Sequence, residues 1–348
     1  MRPGLKVVSP GLASTIQDLG RHGYRDAGVP VSGPLDRVAF TLANALVGNA
    51  ANTPAIEIRM QGPILDVVAE SVRLALVGSA GGLIVEGGAG GAIAPGRSVR
   101  VPCGRRLRCA PLGEVGCAYL AVEGGIAVPS CLGSASTYVP GHIGGLHGGL
   151  LQPGDILPLH VGDAPQRSER MLVQPMAAML DAPIRVVLGP QDDHFTKEAV
   201  ETLLSATYTI SPHADRMGFR MQGPKLQHAK GFNIVSDGIV SGSIQVPGSG
   251  EPIVLMADAQ TTGGYPKIAT IISSDVPLIG RRRPGAHVRF VAVTQEQGEA
   301  ARREQEQVIA QSIAEMRDVL EAQRIDHDAL YSANLVGGVS DGTDETAP

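Results

Sequence analysis

Apolar residues recur at helical spacing in three segments of the chain. Residues 34–47, 196–205 and 296–323 carry apolar side chains at intervals of three or four, which is typical of amphipathic helices. The third segment is rich in Glu, Gln, Ala and Arg, and its narrow apolar line predicts a long C-terminal helix that packs across a domain surface. The apolar positions are Leu35, Val38, Ala39, Leu42, Ala43 and Leu46, then Val200, Leu203 and Leu204, then Ile309, Ile313, Met316 and Leu320.

Short apolar runs fill much of the remaining chain and predict β-strands joined by tight turns. Two Pro-Gly pairs, Pro153-Gly154 and Pro284-Gly285, each predict a turn before a strand. Residues 334–339 predict a final strand, and residues 340–348 predict a frayed tail. The early strands are predicted at Ala55–Met60, Ile64–Val68, Val72–Val77 and Gly82–Glu86, with Gly62-Pro63 and Gly87-Gly88 between them.

An internal echo suggests that this plan occurs twice. Met60–Leu65 reads MQGPIL, and Met221–Leu226 reads MQGPKL. Each copy follows a predicted helix, and each precedes Gly-rich sequence in which we expect further strands. We therefore predict a mainly β protein with short helices. Its predicted divisions are a first β domain over residues 1–165, a second over 180–295, and a C-terminal helix with a closing strand over 296–340.

Composition agrees with this plan and excludes several classes of protein. The chain has 348 residues, which is long enough for two domains, and its 45 Gly and 25 Pro argue against a long helical bundle. The net charge of −5, the absence of Trp and the low count of other aromatics argue against nucleic-acid binding. No run of 18 apolar residues and no signal-peptide pattern is present, so we expect no membrane association and a cytoplasmic location.

Cysteine and histidine spacing gives no support for a metal site. The four cysteines form no Cys-x-x-Cys pair, which favours free thiols in a reducing compartment. His142 and His147 lie in a Gly-rich loop with no second pair of ligands at metal spacing. No Gly-Lys-Ser/Thr sequence occurs, so the chain contains no P-loop.

The richest candidate site lies between residues 244 and 269, where an apolar strand leads directly into polar and glycine residues. The carboxylate of Asp258 can accept a proton, and glutamine side chains can hold an amide group of a substrate through paired hydrogen bonds. Tyr265 and Lys267 can donate hydrogen bonds to a developing oxyanion. The alternative is a hydrogen-bonded turn network without catalytic function. The candidates are Asp258, Tyr265 and Lys267 as catalytic residues, and Gln245, Gln260, Gly263 and Gly264 as substrate-binding residues, with the glycines admitting the backbone close to a ligand.

A second polar group lies near the N-terminus. Arg21 suits a bidentate clamp for a carboxylate, and Asn44 can add an amide contact from the first helix. The alternative is a structural ion pair between Asp18 and Arg21 that holds the loop.

Both halves also resemble a known family. The resemblance is to the biotin-dependent carboxyltransferase / allophanate hydrolase subunit 2 family, which includes the C subunits of 5-oxoprolinases and kinase-inhibitor-antagonist proteins. It covers nearly the whole chain, in order. Its motifs are Thr15–Arg21, Gly28-Val29-Pro30 with Ser32-Gly33, Ala43–Asn49, Glu57, Gly62-Pro63, Asp215–Gly218, Gln245-Val246-Pro247, Asp258, Gln260–Pro266, Lys267-Ile268-Ala269 and Arg283-Pro284-Gly285.

The resemblance implies two cyclophilin-like β-barrel domains and a subunit of an ATP-dependent 5-oxoprolinase. Such a complex converts 5-oxoproline to glutamate with a kinase-inhibitor-like B subunit and an A subunit. One alternative is the carboxyltransferase component of a biotin-dependent urea or amide carboxylase. The chain contains no Met-Lys-Met, so biotin would arrive there on a separate carrier. Another alternative is a non-catalytic regulator that binds a kinase-inhibitor-like protein. Arg281 and Ala135 depart from the family pattern, where Gln and Arg are common.

Overall fold

The computed structural model describes residues 3–88 and 90–319, and most of its regular structure is β. The helices are α1 (Arg37–Leu46), α2 (Lys197–Ser205), α3 (Val276–Gly280) and α4 (Gln295–Ala314). The strands are β1 (Gly4–Ser9), β2 (Ala13–Gln17), β3 (Ala55–Arg59), β4 (Ile64–Val67), β5 (Ser71–Val77), β6 (Leu83–Glu86), β7 (Ala92–Ile93), β8 (Ser98–Pro102), β9 (Arg106–Cys109), β10 (Cys117–Val122), β11 (Ile156–Pro158), β12 (Arg170–Met171), β13 (Ile184–Leu188), β14 (Tyr208–Ile210), β15 (Gly218–Gln222), β16 (Asp237–Gly238), β17 (Ser243–Gln245), β18 (Ile253–Leu255), β19 (Thr262–Gly263), β20 (Lys267–Ile271), β21 (His287–Val288), β22 (Phe290–Ala292) and β23 (Arg317–Asp318).

The first half of the molecule, strands β1–β11, consists of two antiparallel sheets with an apolar core between them. Their strand orders are β11-β1-β4-β9-β6-β7 and β2-β3-β10-β5-β8. Side chains alternate along β5, so Leu74 and Leu76 pack into this core while Ala75 and Val77 join a different core on the opposite face. The second of these sheets is therefore buried on both sides.

The second half, strands β13–β22, is built on one eight-stranded sheet that nearly closes into a barrel. Its order is β21-β14-β15-β18-β17-β20-β13-β22. The two edge strands, β21 and β22, are separated in sequence by Arg289 alone, so the sheet must curve until its edges meet. The prediction of a mainly β fold with a long C-terminal helix is confirmed.

Helix α1 lies between the two halves. Asp36 caps it by accepting hydrogen bonds from the N–H groups of Val38 and Ala39, as expected for an acidic N-cap. Its buried face, which includes Phe40 and Leu46, belongs to the same apolar core as the inner residues of the second-half sheet. One core therefore spans both halves, and the division into two domains stays a prediction.

The long C-terminal helix ends earlier than its sequence predicts. Thr294 and Gln297 form a capping box at its N-terminus, and α4 ends at Ala314 rather than near residue 323. Met316 packs against the main core, and the chain then pairs as β23 with β12. That tertiary contact overrides the helical pattern at residues 315–319. The predicted final strand at 334–339 and the tail at 340–348 lie outside the described residues.

The two copies of the internal echo adopt different structures. Met60 has a φ of 62° and lies in the turn that joins β3 to β4. Met221 lies within β15, and the next strand begins only at Asp237. The expected strands directly after the second copy are therefore absent from the described residues. The Pro-Gly turns are correct, since β11 follows Pro153-Gly154 and β21 follows Pro284-Gly285.

Candidate functional site

Lys267 is the centre of a small polar cluster at the start of β20. Its side chain is buried, and Nζ donates to Oδ2 of Asp237 at 2.5 Å and to the carbonyl of Gly238 at 2.8 Å. The amide of Gln191 donates to the same carboxylate oxygen at 3.0 Å, while its carbonyl oxygen accepts the Lys267 backbone N–H at 3.0 Å. We call these four residues the Lys267 cluster.

Asp237 is the solvent-facing member of this cluster, with half of its side chain exposed. The hydrogen bond from Lys267, together with the Gly238 N–H, the Gln191 amide and the Lys267 charge, lowers the pKa of Asp237 to about 2. Asp237 is therefore a carboxylate at neutral pH. The ammonium group of Lys267 is buried, whereas the carboxylate of Asp237 faces solvent. A ligand that approaches from solvent therefore meets the carboxylate before the ammonium group.

The other predicted residues of this segment lie near the Lys267 cluster but make none of the hydrogen bonds to the Lys267 ammonium group described above. Gln245 is buried, and its amide donates to the backbone carbonyl of Tyr265 at 3.1 Å, whereas the Tyr265 side chain is exposed. Gly263 pairs with Asp237 between β16 and β19. A Cβ atom on Gly263 would lie 2.7 Å from Nε2 of Gln245, so this glycine admits a neighbouring side chain, while Gly264 has more room, its nearest atom being 3.4 Å away.

Asp258 belongs to a different group, at the boundary between the halves. Its carboxylate accepts two hydrogen bonds from Arg216, from Nε at 2.8 Å and Nη2 at 3.0 Å. Arg216 also donates from Nη1 to Glu57 at 2.6 Å and from Nη2 to the carbonyl of Gly33 at 2.7 Å. Burial alone would lower the pKa of Arg216, but the carboxylates of Asp258 and Glu57 outweigh it and raise that pKa above its usual value.

Arg21 is engaged within the first half. It is fully buried and donates to the carbonyls of Cys131 at 3.0 Å and Ser136 at 2.8 Å. The alternative of an Asp18–Arg21 ion pair is wrong, because Asp18 instead accepts hydrogen bonds from the Ser136 hydroxyl at 2.7 Å and the Ala135 N–H at 2.7 Å. The departure from Arg to Ala135 therefore lies in this loop rather than in the Lys267 cluster.

Asn44 and Arg281 also make their hydrogen bonds and ion pairs away from the Lys267 cluster. Asn44 donates to the carbonyl of Thr53 at 3.0 Å and accepts from Asn49 at 2.9 Å, which holds the loop after α1. Arg281, for which the resemblance leads us to expect Gln, forms a buried ion pair with Asp36 at 2.9 Å across the halves. Roles for Arg21 and Asn44 in substrate binding stay predictions.

Gln260 lines a cavity of about 520 Å³ between the two halves, which we call the inter-half cavity. The volume falls within the range of roughly 300–1,000 Å³ that is usual for small-molecule sites. Ile239 and Val240 form part of its wall and follow directly after β16, while Thr261 leads directly into β19. The Lys267 cluster, which holds β16, therefore fixes one wall of this cavity.

A family model decides the relationship of this chain to known proteins. The model for the carboxyltransferase domain, subdomain A and B, matches residues 27–292. The chain belongs to this carboxyltransferase domain family. The resemblance predicted from the sequence motifs is thereby confirmed, and the match spans both halves of the molecule, from before α1 to the end of β22.

Individual members of the carboxyltransferase family match at different coverage. The chain is 36% identical to the C subunit of 5-oxoprolinase from Escherichia coli, over 88% of this chain and 97% of that protein. It is 32% identical to urea amidolyase of Saccharomyces cerevisiae, over 88% of this chain but 17% of that protein. The structure of K. lactis urea amidolyase superposes with a TM-score of 0.79 at 29% identity, over 90% of this chain and 20% of that chain.

Sequence reasoning within this family pattern missed Asp237 and Gln191. Their partner Lys267 is 30 residues from Asp237 and 76 residues from Gln191, and only the pairing of distant strands brings them together. The Asp237-Gly238 pair is a usual turn signal, and the break at Gly189-Pro190 precedes Gln191. Neither signal points to Lys267.

Residues 3–88 and 90–319 contain neither a candidate metal cluster nor a membrane-spanning helix. Within them, no group of three or more His, Cys, Asp or Glu side chains is placed to hold a metal ion. No helix in this part of the chain combines the length and apolar character needed to cross a membrane.

Proposed function

We propose that this carboxyltransferase-family chain is a subunit of an ATP-dependent 5-oxoprolinase, which converts 5-oxoproline, ATP and water to glutamate. The observation that carries this proposal is the 36% identity to a protein named as the C subunit of 5-oxoprolinase, over 97% of that protein's length. The urea amidolyase relatives, in contrast, are matched over 17% of their length.

The proposal includes partner proteins. The relatives' name designates them as one component of several, so we propose that this chain acts with a kinase-inhibitor-like B subunit and an A subunit. ATP enters as a co-substrate of the whole complex, and biotin has no part in the reaction. A cytoplasmic location is part of the same proposal.

The inter-half cavity is the substrate site in this proposal. The Gln260 amide offers a donor and an acceptor that can pair with the carbonyl and N–H of the lactam. Lys267 acts as a positioning residue, because its bonds to Asp237 and Gly238 hold the strand that continues into the cavity wall. Tyr265 provides an exposed hydroxyl at the outer side of this segment.

Asp258 is also a positioning residue in this proposal, because it acts on the cavity through Arg216. Its paired bonds orient Arg216, and Arg216 fixes the Ser32-Gly33 segment through the Gly33 carbonyl. Ser32 lines the inter-half cavity, so the Asp258–Arg216 pair supports the wall opposite the Lys267 cluster.

The test is co-expression of the chain with its genomic neighbours, followed by measurement of 5-oxoproline-dependent ATP hydrolysis and glutamate formation. Lys267→Met and Asp237→Asn should each lower kcat/KM about 10²-fold. Each substitution removes the contact between Lys267 and β16 that holds the adjoining wall of the inter-half cavity in place. Lys197→Met, at an exposed position on α2, is the matched control and should leave the rate unchanged. Full activity in both cluster variants would contradict the site assignment.

The second candidate is the carboxyltransferase component of a biotin-dependent urea or amide carboxylase. It is favoured by the superposition with K. lactis urea amidolyase, at a TM-score of 0.79. The same preparation should therefore receive urea, bicarbonate and a biotin carboxyl carrier in a parallel assay. Turnover with urea and none with 5-oxoproline would select this candidate. Tight binding of the kinase-inhibitor-like partner without turnover of either substrate would select the regulator.

A further inference from the structure

The inter-half cavity has a charge distribution unlike that of the whole chain. Although the protein carries a net charge of −5, the cavity is lined by three arginines, Arg25, Arg37 and Arg302. No Asp or Glu is among the described residues that line it. The arginines come from three separate segments, namely the loop before α1, the first turn of α1, and α4. Three segments of the chain thus bring positive charge to one cavity.

Two of these guanidinium groups make no direct pair with a carboxylate in the part of the chain that the structure describes. Within residues 3–88 and 90–319, the side chains of Arg25 and Arg37 make no hydrogen bond or ion pair, whereas Arg302 pairs with Glu306 at 2.7 Å. Arg37 is exposed as a whole, but partial desolvation of its guanidinium group, followed by the neighbouring charge of Arg302, lowers the pKa of Arg37, with Glu306 acting in the opposite direction. A bound anion would relieve this repulsion.

Ser32 adds a strained element to the same cavity. Its φ of 57° lies in the left-handed region, which residues other than glycine rarely adopt. The backbone N–H of Ser32 donates to the carbonyl of Ala257 at 3.1 Å, so contact between the halves holds this conformation. The Ser32 hydroxyl has no hydrogen-bond partner among the described residues, and Ser241 and Ser273 place further hydroxyl groups along the wall.

From these observations we infer that Arg25, Arg37 and Arg302 determine specificity by binding the carboxylate of a small substrate in the inter-half cavity. The guanidinium group presents paired N–H donors that match a carboxylate, and such charged hydrogen bonds are stronger than neutral ones. The inference rests on the proposed function, since 5-oxoproline carries a carboxylate beside its lactam. The Gln260 amide then remains available for the lactam group.

The test compares 5-oxoproline with 2-pyrrolidinone, the same lactam without a carboxylate, as substrates of the co-expressed complex. Arg25→Gln and Arg37→Gln should each raise KM for 5-oxoproline roughly 10- to 100-fold with little change in kcat. Neither variant should alter kcat/KM for 2-pyrrolidinone. Arg37→Lys, which keeps the charge, should recover part of the loss. Arg220→Gln, at an exposed position on β15, is the matched control and should behave as wild type.

Two outcomes would overturn the inference while leaving the proposed function intact. One is an unchanged KM for 5-oxoproline in both Arg→Gln variants, and the other is an equal loss with both lactams. If the wild-type complex fails to turn over 5-oxoproline, the proposed function fails separately. Calorimetric titration of the full chain with 5-oxoproline and with inorganic phosphate then decides. Binding of 5-oxoproline that weakens in Arg37→Gln supports the carboxylate site, whereas binding of phosphate alone or of neither contradicts it.

Discussion

Nη1 of Arg216 lies 2.6 Å from Oε1 of Glu57, and this contact joins the two halves inside the protein. Glu57 is fully buried, and its second oxygen accepts hydrogen bonds from the Tyr119 hydroxyl at 2.6 Å and the Leu35 N–H at 3.0 Å. Every contact of this carboxylate is therefore made within a low-dielectric interior. The pair fixes how the halves meet, and hence the walls of the inter-half cavity.

The first prediction concerns the stability of this contact. Glu57→Ala leaves Arg216 with a buried charge that only Asp258 compensates, so the free energy of unfolding should fall by about 3–5 kcal/mol. Urea denaturation followed by circular dichroism measures the change. Glu114→Ala is the matched control, because Glu114 pairs with Arg283 across the halves at an exposed position and should cost less than about 1 kcal/mol. Equal effects of the two substitutions would refute the assignment.

The second prediction concerns the pH dependence contributed by Asp237. Its pKa is lowered to about 2, first of all by the Lys267 hydrogen bond, so its contribution to stability is present above pH 4 and is lost as the pH falls towards 2. Asp237→Asn should therefore have a lower urea midpoint than wild type at pH 6, and the difference should shrink between pH 4 and pH 2. In a Lys267→Met background, Asp237→Asn should change the urea midpoint less over the same pH range, because the largest cause of the lowered pKa of Asp237 is gone. A difference that is constant across this range would contradict the pairing.

The third prediction separates the two adjacent glycines. A Cβ atom on Gly263 would lie 2.6 Å from Cδ1 of Ile239, which lines the inter-half cavity. Gly263→Ala should therefore cost about 1–3 kcal/mol of stability and raise KM, because the cavity wall must shift. Gly264→Ala should change neither quantity measurably, since its nearest neighbouring atom is 3.4 Å away. Thermal melts and steady-state kinetics of both variants measure this, and a larger effect at Gly264 would overturn the assignment.

The fourth prediction concerns the four free thiols. Cys103 is exposed and Cys131 is partly exposed, whereas Cys109 and Cys117 are buried. Burial raises the pKa of Cys109 to about 12 and also raises the pKa of Cys117, which suppresses the reactive thiolate. Titration with Ellman's reagent at pH 8 should therefore detect two thiols in the native protein and four in denaturant. Rapid reaction of four native thiols would contradict the burial of β9 and β10.

Local patterns predicted elements well where one face of the element decides its burial. The predicted helix at 34–47 is observed as Arg37–Leu46, and the predicted strand at 72–77 is observed as Ser71–Val77. The end of α4 was wrong, because Met316 packs against the core instead of extending the helix. The pattern of a single segment contains no information about such a contact.

The candidate site was predicted less completely, because its contacts join distant segments. The sequence predicted a site around Lys267, and that role stays a prediction, but it did not indicate the contact with Asp237, which is 30 residues away. The pairing of Asp258 with Arg216 spans 42 residues. The inter-half cavity is lined by Arg25, in the loop before α1, and by Arg302, in α4, which are far apart in the sequence. No local pattern encodes that geometry.

The central claim is that this chain is required for ATP-dependent cleavage of 5-oxoproline. The most direct measurement is glutamate formed from 5-oxoproline by the complex of the two partner proteins, prepared with and without this chain, together with the ADP released. We predict that glutamate forms in proportion to ADP when the chain is present and falls to background when it is absent. Equal glutamate formation without the chain, or none with it, would contradict the account.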